Sequence, residues 1–217
     1  MDRAGDTTRR MAFWAANACA LFSIAYIVLQ LFEWLGLLGS AGGPDASSAP
    51  LGLALLLTPS LLLGSAFLIL MAALHQLAPP ERRAFSQAAF GFATVYATLV
   101  SMVYFTQLTL IAPRMAAHEV AGIEPFLFVP YRTFLFAVDL LGYSMMSLAT
   151  LLGAFALPAG RWAHAARIAM IANGLILPFL AFQMYWPALI WGGALWGITF
   201  PAAMILVASL MRERVAK

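Results

Sequence analysis

The stretch LGLALLLTPSLLLGSAFLILMAALHQL, residues 51–77, decides the fold class. Its 27 residues include no Asp, Glu, Lys or Arg. Wound as a helix rising about 1.5 Å per residue, it reaches roughly 40 Å, enough to cross a hydrocarbon core of about 30 Å. The apolar run is continuous rather than alternating, which excludes the strand pattern of an outer-membrane barrel.

Reading outward, five more runs of the same kind appear, at about 11–38, 87–112, 134–157, 165–185 and 187–211. Between them lie polar breaks: SAGGPDASSAP (40–50), APPERRAF (78–85), a longer segment over 113–133, and PAGRW (158–162). Six spans account for most of the chain, so residues 1–217 are expected to form a single six-span domain. The fold class expected is an all-α integral membrane protein, a six-transmembrane-helix bundle.

Composition agrees. The chain is 63% hydrophobic and 10% charged, with mean hydropathy +0.89. A soluble domain carries about 25% charged residues. Too few charges remain here to cover a water-facing surface, which excludes a soluble enzyme, a nucleic-acid-binding domain and a disordered chain. The single cysteine, Cys19, excludes an intramolecular disulfide and any CxxC motif. The N-terminus is charged, but the first apolar run is too long for a signal-peptide core and is read as a retained span.

The basic residues lie between the runs, where they report orientation. Ten fall on one side: Arg3, Arg9, Arg10, Arg82, Arg83, Arg161, Arg167, Arg212, Arg214 and Lys217. Two, Arg114 and Arg132, fall on the other. This bias places both termini in the cytoplasm. The use of Arg over Lys, eleven to one, and the richness in Ala and Leu point to a GC-rich bacterial source, and the expected location is a bacterial inner membrane.

Ionisable residues inside spans are rare and costly, roughly 2.5–3.5 kcal/mol at the bilayer centre. Glu33 and Asp139 are the two acidic ones, both toward the outer end, with Arg132 and Arg114 as expected partners. Helical spacing extends each site into a stripe. Span 1 carries Cys19, Ser23, Tyr26, Gln30 and Glu33; span 4 carries Arg132, Asp139, Tyr143, Ser147 and Thr150. In span 3, Gln87, Thr94, Thr98, Ser101, Tyr104 and Gln107 suggest a third. Polar stripes avoid lipid, so spans 1, 3 and 4 are expected to face one another around an outward-facing polar pocket. Its candidate ligand-binding residues are Glu33, Gln30, Tyr104, Gln107, Arg132, Asp139 and Tyr143. The carboxylates would bind a cation or carry a proton, or else simply pair with the arginines at the headgroup boundary, while Ser, Thr and Tyr join helices by hydrogen bonds. Gln183, Tyr185, Trp186 and Trp191 lie at similar depth, and Trp191 and Trp196 are candidates to line the cavity.

Other chemistries lack their residues. His75, His118 and His164 are split between the two faces and cannot form one metal site. No lysine lies in a span, and no GxSxG elbow or phosphate loop occurs; nothing selects a cofactor. Gly193 and Gly197 form a GxxxG in span 6, a candidate helix-packing face within the chain or towards a partner. The 113–133 segment is expected to form a short surface helix at the membrane interface, to start span 4 early with a kink at Pro130, or to act as a lid over the cavity.

Three functions fit. The leading one is binding or transport of a small molecule through the pocket. A second is a non-catalytic accessory subunit, with a homo-oligomer or a membrane-complex partner seated along Gly193 and Gly197. A third is an intramembrane enzyme acting on a lipid or isoprenoid by acid–base chemistry.

Overall fold

The computed structural model describes residues 3–215, and within them every regular element is helical. Six helices are long and apolar enough to cross a membrane. They are α1 (Arg3–Trp34), α2 (Pro50–Leu77), α3 (Arg83–Thr106), α4 (Phe134–Ala156), α5 (Arg161–Gly174, resumed at Leu177–Ala181) and α6 (Ile190–Gly193, resumed at Trp196–Val215). Lys217, one of the ten basic residues expected on the cytoplasmic side, lies outside the described residues.

Boundaries follow local chemistry. The first helix ends four residues before the expected Leu38, because Gly36 adopts φ +74°. There the Gly36 N–H donates to the Glu33 carbonyl (2.9 Å) and the Leu37 N–H to the Phe32 carbonyl (2.9 Å), the paired bonds of a Schellman cap. Helix α3 starts earlier than expected and runs further. It passes through a π-turn at Gln107–Ile111 into Ala112–Ala116. Pro113 lacks the N–H that would close the regular ladder, and the Ala112 N–H reaches back five residues to Gln107 instead. The break in α5 falls one turn before Pro178, whose ring excludes the carbonyl four residues back.

The helices form a closed ring in chain order. Each packs against its sequence neighbours, and α6 returns to α1. In direct packing, α1 rests on α2 and α6, while α3 rests on α2 and α4, so spans 1, 3 and 4 meet across the ring axis rather than as one packed trio. Small residues permit the close approaches. A Cβ on Gly174 would stand 2.5 Å from the Leu151 Cβ, so α5 and α4 touch there.

One end of the ring carries the 35–49 and 117–133 loops; the other carries the short turns and the termini. The axis near the middle is solid. Phe67, Tyr96 and Phe200 fill it from α2, α3 and α6 without exposure, with Phe67 ring centroids 5.7 Å from both others. Large apolar side chains such as Leu21, Leu62, Val95, Phe105, Ile168, Ile198 and Ile205 point outward and are exposed.

The end with the short turns is held by arginines. Arg167 donates through Nε to the Ala154 carbonyl (3.1 Å) and through Nη2 to Leu157 (2.8 Å) and Pro158 (3.3 Å). Arg82 also donates to the Leu157 carbonyl. These cations occupy the negative end of α4, where the last carbonyls lack helical partners.

Candidate functional site

Above the aromatic plug, at the loop end, the axis opens into a cavity of about 240 Å³. All six helices line it: Tyr26, Gln30 and Glu33 from α1, Leu53 and Leu57 from α2, Tyr104 from α3, Asp139 and Tyr143 from α4, Gln183 following α5, and Trp196 from α6. One cavity thus holds both Glu33 and Asp139, and it lies on the ring axis rather than between three helices.

The floor is aromatic. Trp196 meets Tyr143 edge-on at 5.3 Å and Tyr26 at 5.9 Å, and stacks on Phe200 at 5.2 Å. Its indole N–H points to the Met146 sulfur (3.3 Å). One wall is a hydroxyl chain. Tyr104 donates to Asp139 Oδ1 at 2.6 Å, and its oxygen lies 3.2 Å from the Tyr143 hydroxyl. The short first bond is the kind made to a charged acceptor. Opposite, the Tyr26 hydroxyl donates to Gln30 Oε1 (2.9 Å).

Glu33 is the exceptional group. It is 2% exposed, and neither carboxyl oxygen has a hydrogen-bond partner. One oxygen lies against Gly52 in the first turn of α2, where a Cβ would meet it at 2.8 Å. That helix start has no side-chain cap, so the positive end of α2 is the compensation the fold provides.

Both long loops form the roof. Residues Gly43, Pro44 and Ala46 enter from the first, Phe128, Pro130 and Tyr131 from the second. Within the 113–133 segment Phe128, Pro130 and Tyr131 border the cavity, and the next helix starts only at Phe134, so span 4 does not begin early at Pro130. Tyr131 holds φ +61°, an uncommon conformation for a bulky residue. Burial, with Asp45 nearby, pushes its hydroxyl up to about 12, so it stays protonated.

Two candidate residues lie elsewhere. Arg132 is exposed and does not line the cavity. Gln107 is fully buried outside the lining, where its Nε2 donates to the Phe126 carbonyl (2.6 Å) and so ties α3 to the roof. The expected ion pairs are corrected with them: Asp139 bonds Tyr104, Glu33 bonds nothing, and Arg114 donates to the Ala121 carbonyl (3.3 Å). An exposed arginine keeps its contact with water and loop carbonyls, which burial in the cavity would cost it.

The stripe on α3 is corrected as well. Gln87, Thr94 and Thr98 face outward and are exposed. Thr94 and Thr98 bond carbonyls four residues back, at 2.9 Å each. Successive steps of three residues fall about 60° short of a full turn each. These positions therefore drift from the outer face at Thr98 to the inner face at Tyr104. Trp191, Tyr185 and Trp186 are exposed rather than lining. Gln183, by contrast, is 1% exposed and lines the cavity.

Gly193 and Gly197 do make close contacts, each with a different part of the chain. A Cβ on Gly193 would meet Gln183 Nε2 at 3.0 Å; on Gly197 it would meet Ile27 Cγ1 at 3.4 Å. Sequence reasoning passed over Asn173. Its amide donates to Thr150 (2.9 Å) and accepts from Thr199 (3.1 Å), joining α4, α5 and α6 in the core. No protein family, curated protein or solved structure matches the chain.

Proposed function

We propose that the chain is a multi-pass protein of a bacterial cell membrane, both termini cytoplasmic, that binds or moves a small molecule through the cavity at its loop end. Apolar side chains on the outward faces of the helices support the bilayer setting. The ten-to-two distribution of basic residues supports the orientation. The observation that carries the reading is the shared, roofed cavity in which Glu33 and the Asp139–Tyr104–Tyr143 chain converge. Pockets of this kind, mostly apolar with a few placed polar groups, are the usual form of small-molecule sites.

The test is native mass spectrometry of the protein released gently from its own membrane, beside a Leu57→Trp variant that fills the cavity. The expected result is a small bound mass on the wild type and none on the variant. A wild type without bound mass, or one whose bound mass survives the filling, would remove the cavity from the function.

A further inference from the structure

We propose that the ligand of this cavity is a small organic cation, an ammonium group carrying a compact apolar or aromatic body. The inference rests on reading the cavity as a binding site and adds the chemical class of what fills it. Its first support is charge. Glu33 and Asp139 line the cavity, and no Arg, Lys or His does. Asp139 already accepts a bond from Tyr104. Glu33 borders the same cavity, buried and with no hydrogen-bond partner for either oxygen; a small rotation of its side chain would turn an unsatisfied acceptor to a bound cation. An anion would meet two carboxyl groups and no countercharge. A neutral apolar molecule would leave Glu33 unpaired.

The second support is the remaining lining. The rings of Tyr26, Tyr143 and Trp196 form the floor, and Phe128 and Tyr131 the roof. Aromatic faces attract cations, and alkylated ammonium groups are held in aromatic cages for this reason. An inorganic ion is the poorer fit. Hard divalent cations take six or more oxygen ligands, whereas Leu53, Leu57, Phe136 and Leu140 fill much of the lining here. Among the described residues, no three His, Cys, Asp or Glu side chains group to hold a metal.

Volume sets the size. A cavity of about 150 Å³ holds benzene. By proportion, 240 Å³ holds about ten non-hydrogen atoms. That admits an arylalkylamine or a small tetraalkylammonium and excludes a nucleotide or a lipid.

The experiment is calorimetric titration of the full chain in nanodiscs with three probes of one shape: 2-phenylethylammonium, 2-phenylethanol and phenylacetate. The cation is expected to bind at least about tenfold tighter than the alcohol, with phenylacetate the weakest. In Glu33→Gln the ratio between cation and alcohol is expected to fall toward one. Equal binding of cation and alcohol by the wild type, a preference for phenylacetate, or an unchanged ratio in Glu33→Gln overturns the cation assignment and leaves the cavity as a binding site. Binding of none of the three overturns both. The ranking on the wild type needs no variant, so a Glu33→Gln chain that fails to fold does not shelter the proposal.

Discussion

Glu33 sits where a carboxyl group costs stability. Its oxygens are buried without partners, and an unsatisfied buried acceptor costs about 1–3 kcal/mol. The α2 N-terminus returns about 0.3–1 kcal/mol. The deficit therefore wins, and Glu33→Met should stabilise the empty protein by about 1 kcal/mol, a rise in Tm of roughly 2–4 °C. A thermal scan in detergent checks this; a lower Tm would mean that the carboxyl is satisfied in a way the structure does not contain. Tyr104 is the contrasting case, since its hydroxyl is the partner Asp139 has. Tyr104→Phe leaves that carboxyl oxygen unmatched and should cost about 1.5–3 kcal/mol, read as a drop in Tm. Glu33 and Asp139 were legible in the sequence because an acid within an apolar run has no other excuse. Arg132 was misplaced by the same logic: charge pairing was assumed, whereas an arginine near a boundary reaches water.

At the level of elements, apolar length marks where the helices lie more firmly than it marks which face turns inward. Uninterrupted apolar length specifies a helix almost alone, because a backbone without water must satisfy its own hydrogen bonds. Which face turns inward depends on small differences among Ala, Thr and Val that sequence spacing does not weigh. On α3 the inner face is Ala89, Ala93, Tyr96 and Val100, an apolar row, while the threonines that suggested a polar face satisfy themselves on their own helix. The arginine brackets at the end of α4 have a measurable weight. Arg167 makes three bonds to carbonyls of that end, and Arg167→Met should cost about 1.5–3 kcal/mol. If denaturation in detergent shows no change, these bonds merely replace equivalent ones to water.

The whole molecule is a ring of six helices closed by α6 on α1, with a cavity at one end and an aromatic plug beneath it. In this state the axis does not connect its two ends, so any passage requires Phe67, Tyr96 and Phe200 to part. Orientation is testable on the intact chain. Cys19 is fully buried, so single cysteines can be read against it. Asp45→Cys should react in intact cells with a membrane-impermeant maleimide, and Glu81→Cys only after permeabilisation; the reverse pattern would invert the topology. The sequence by itself determined the class, the number of helices and the end at which acidic groups gather, because each follows from apolar length and the position of charge along the chain. Only the tertiary structure decided the ring order, the roof made by two loops, the merging of Glu33 and Asp139 into one cavity, and the exclusion of arginine from it. Those depend on how helices rotate and pack against neighbours distant in sequence, where contacts between small side chains outweigh the periodicity of polar ones.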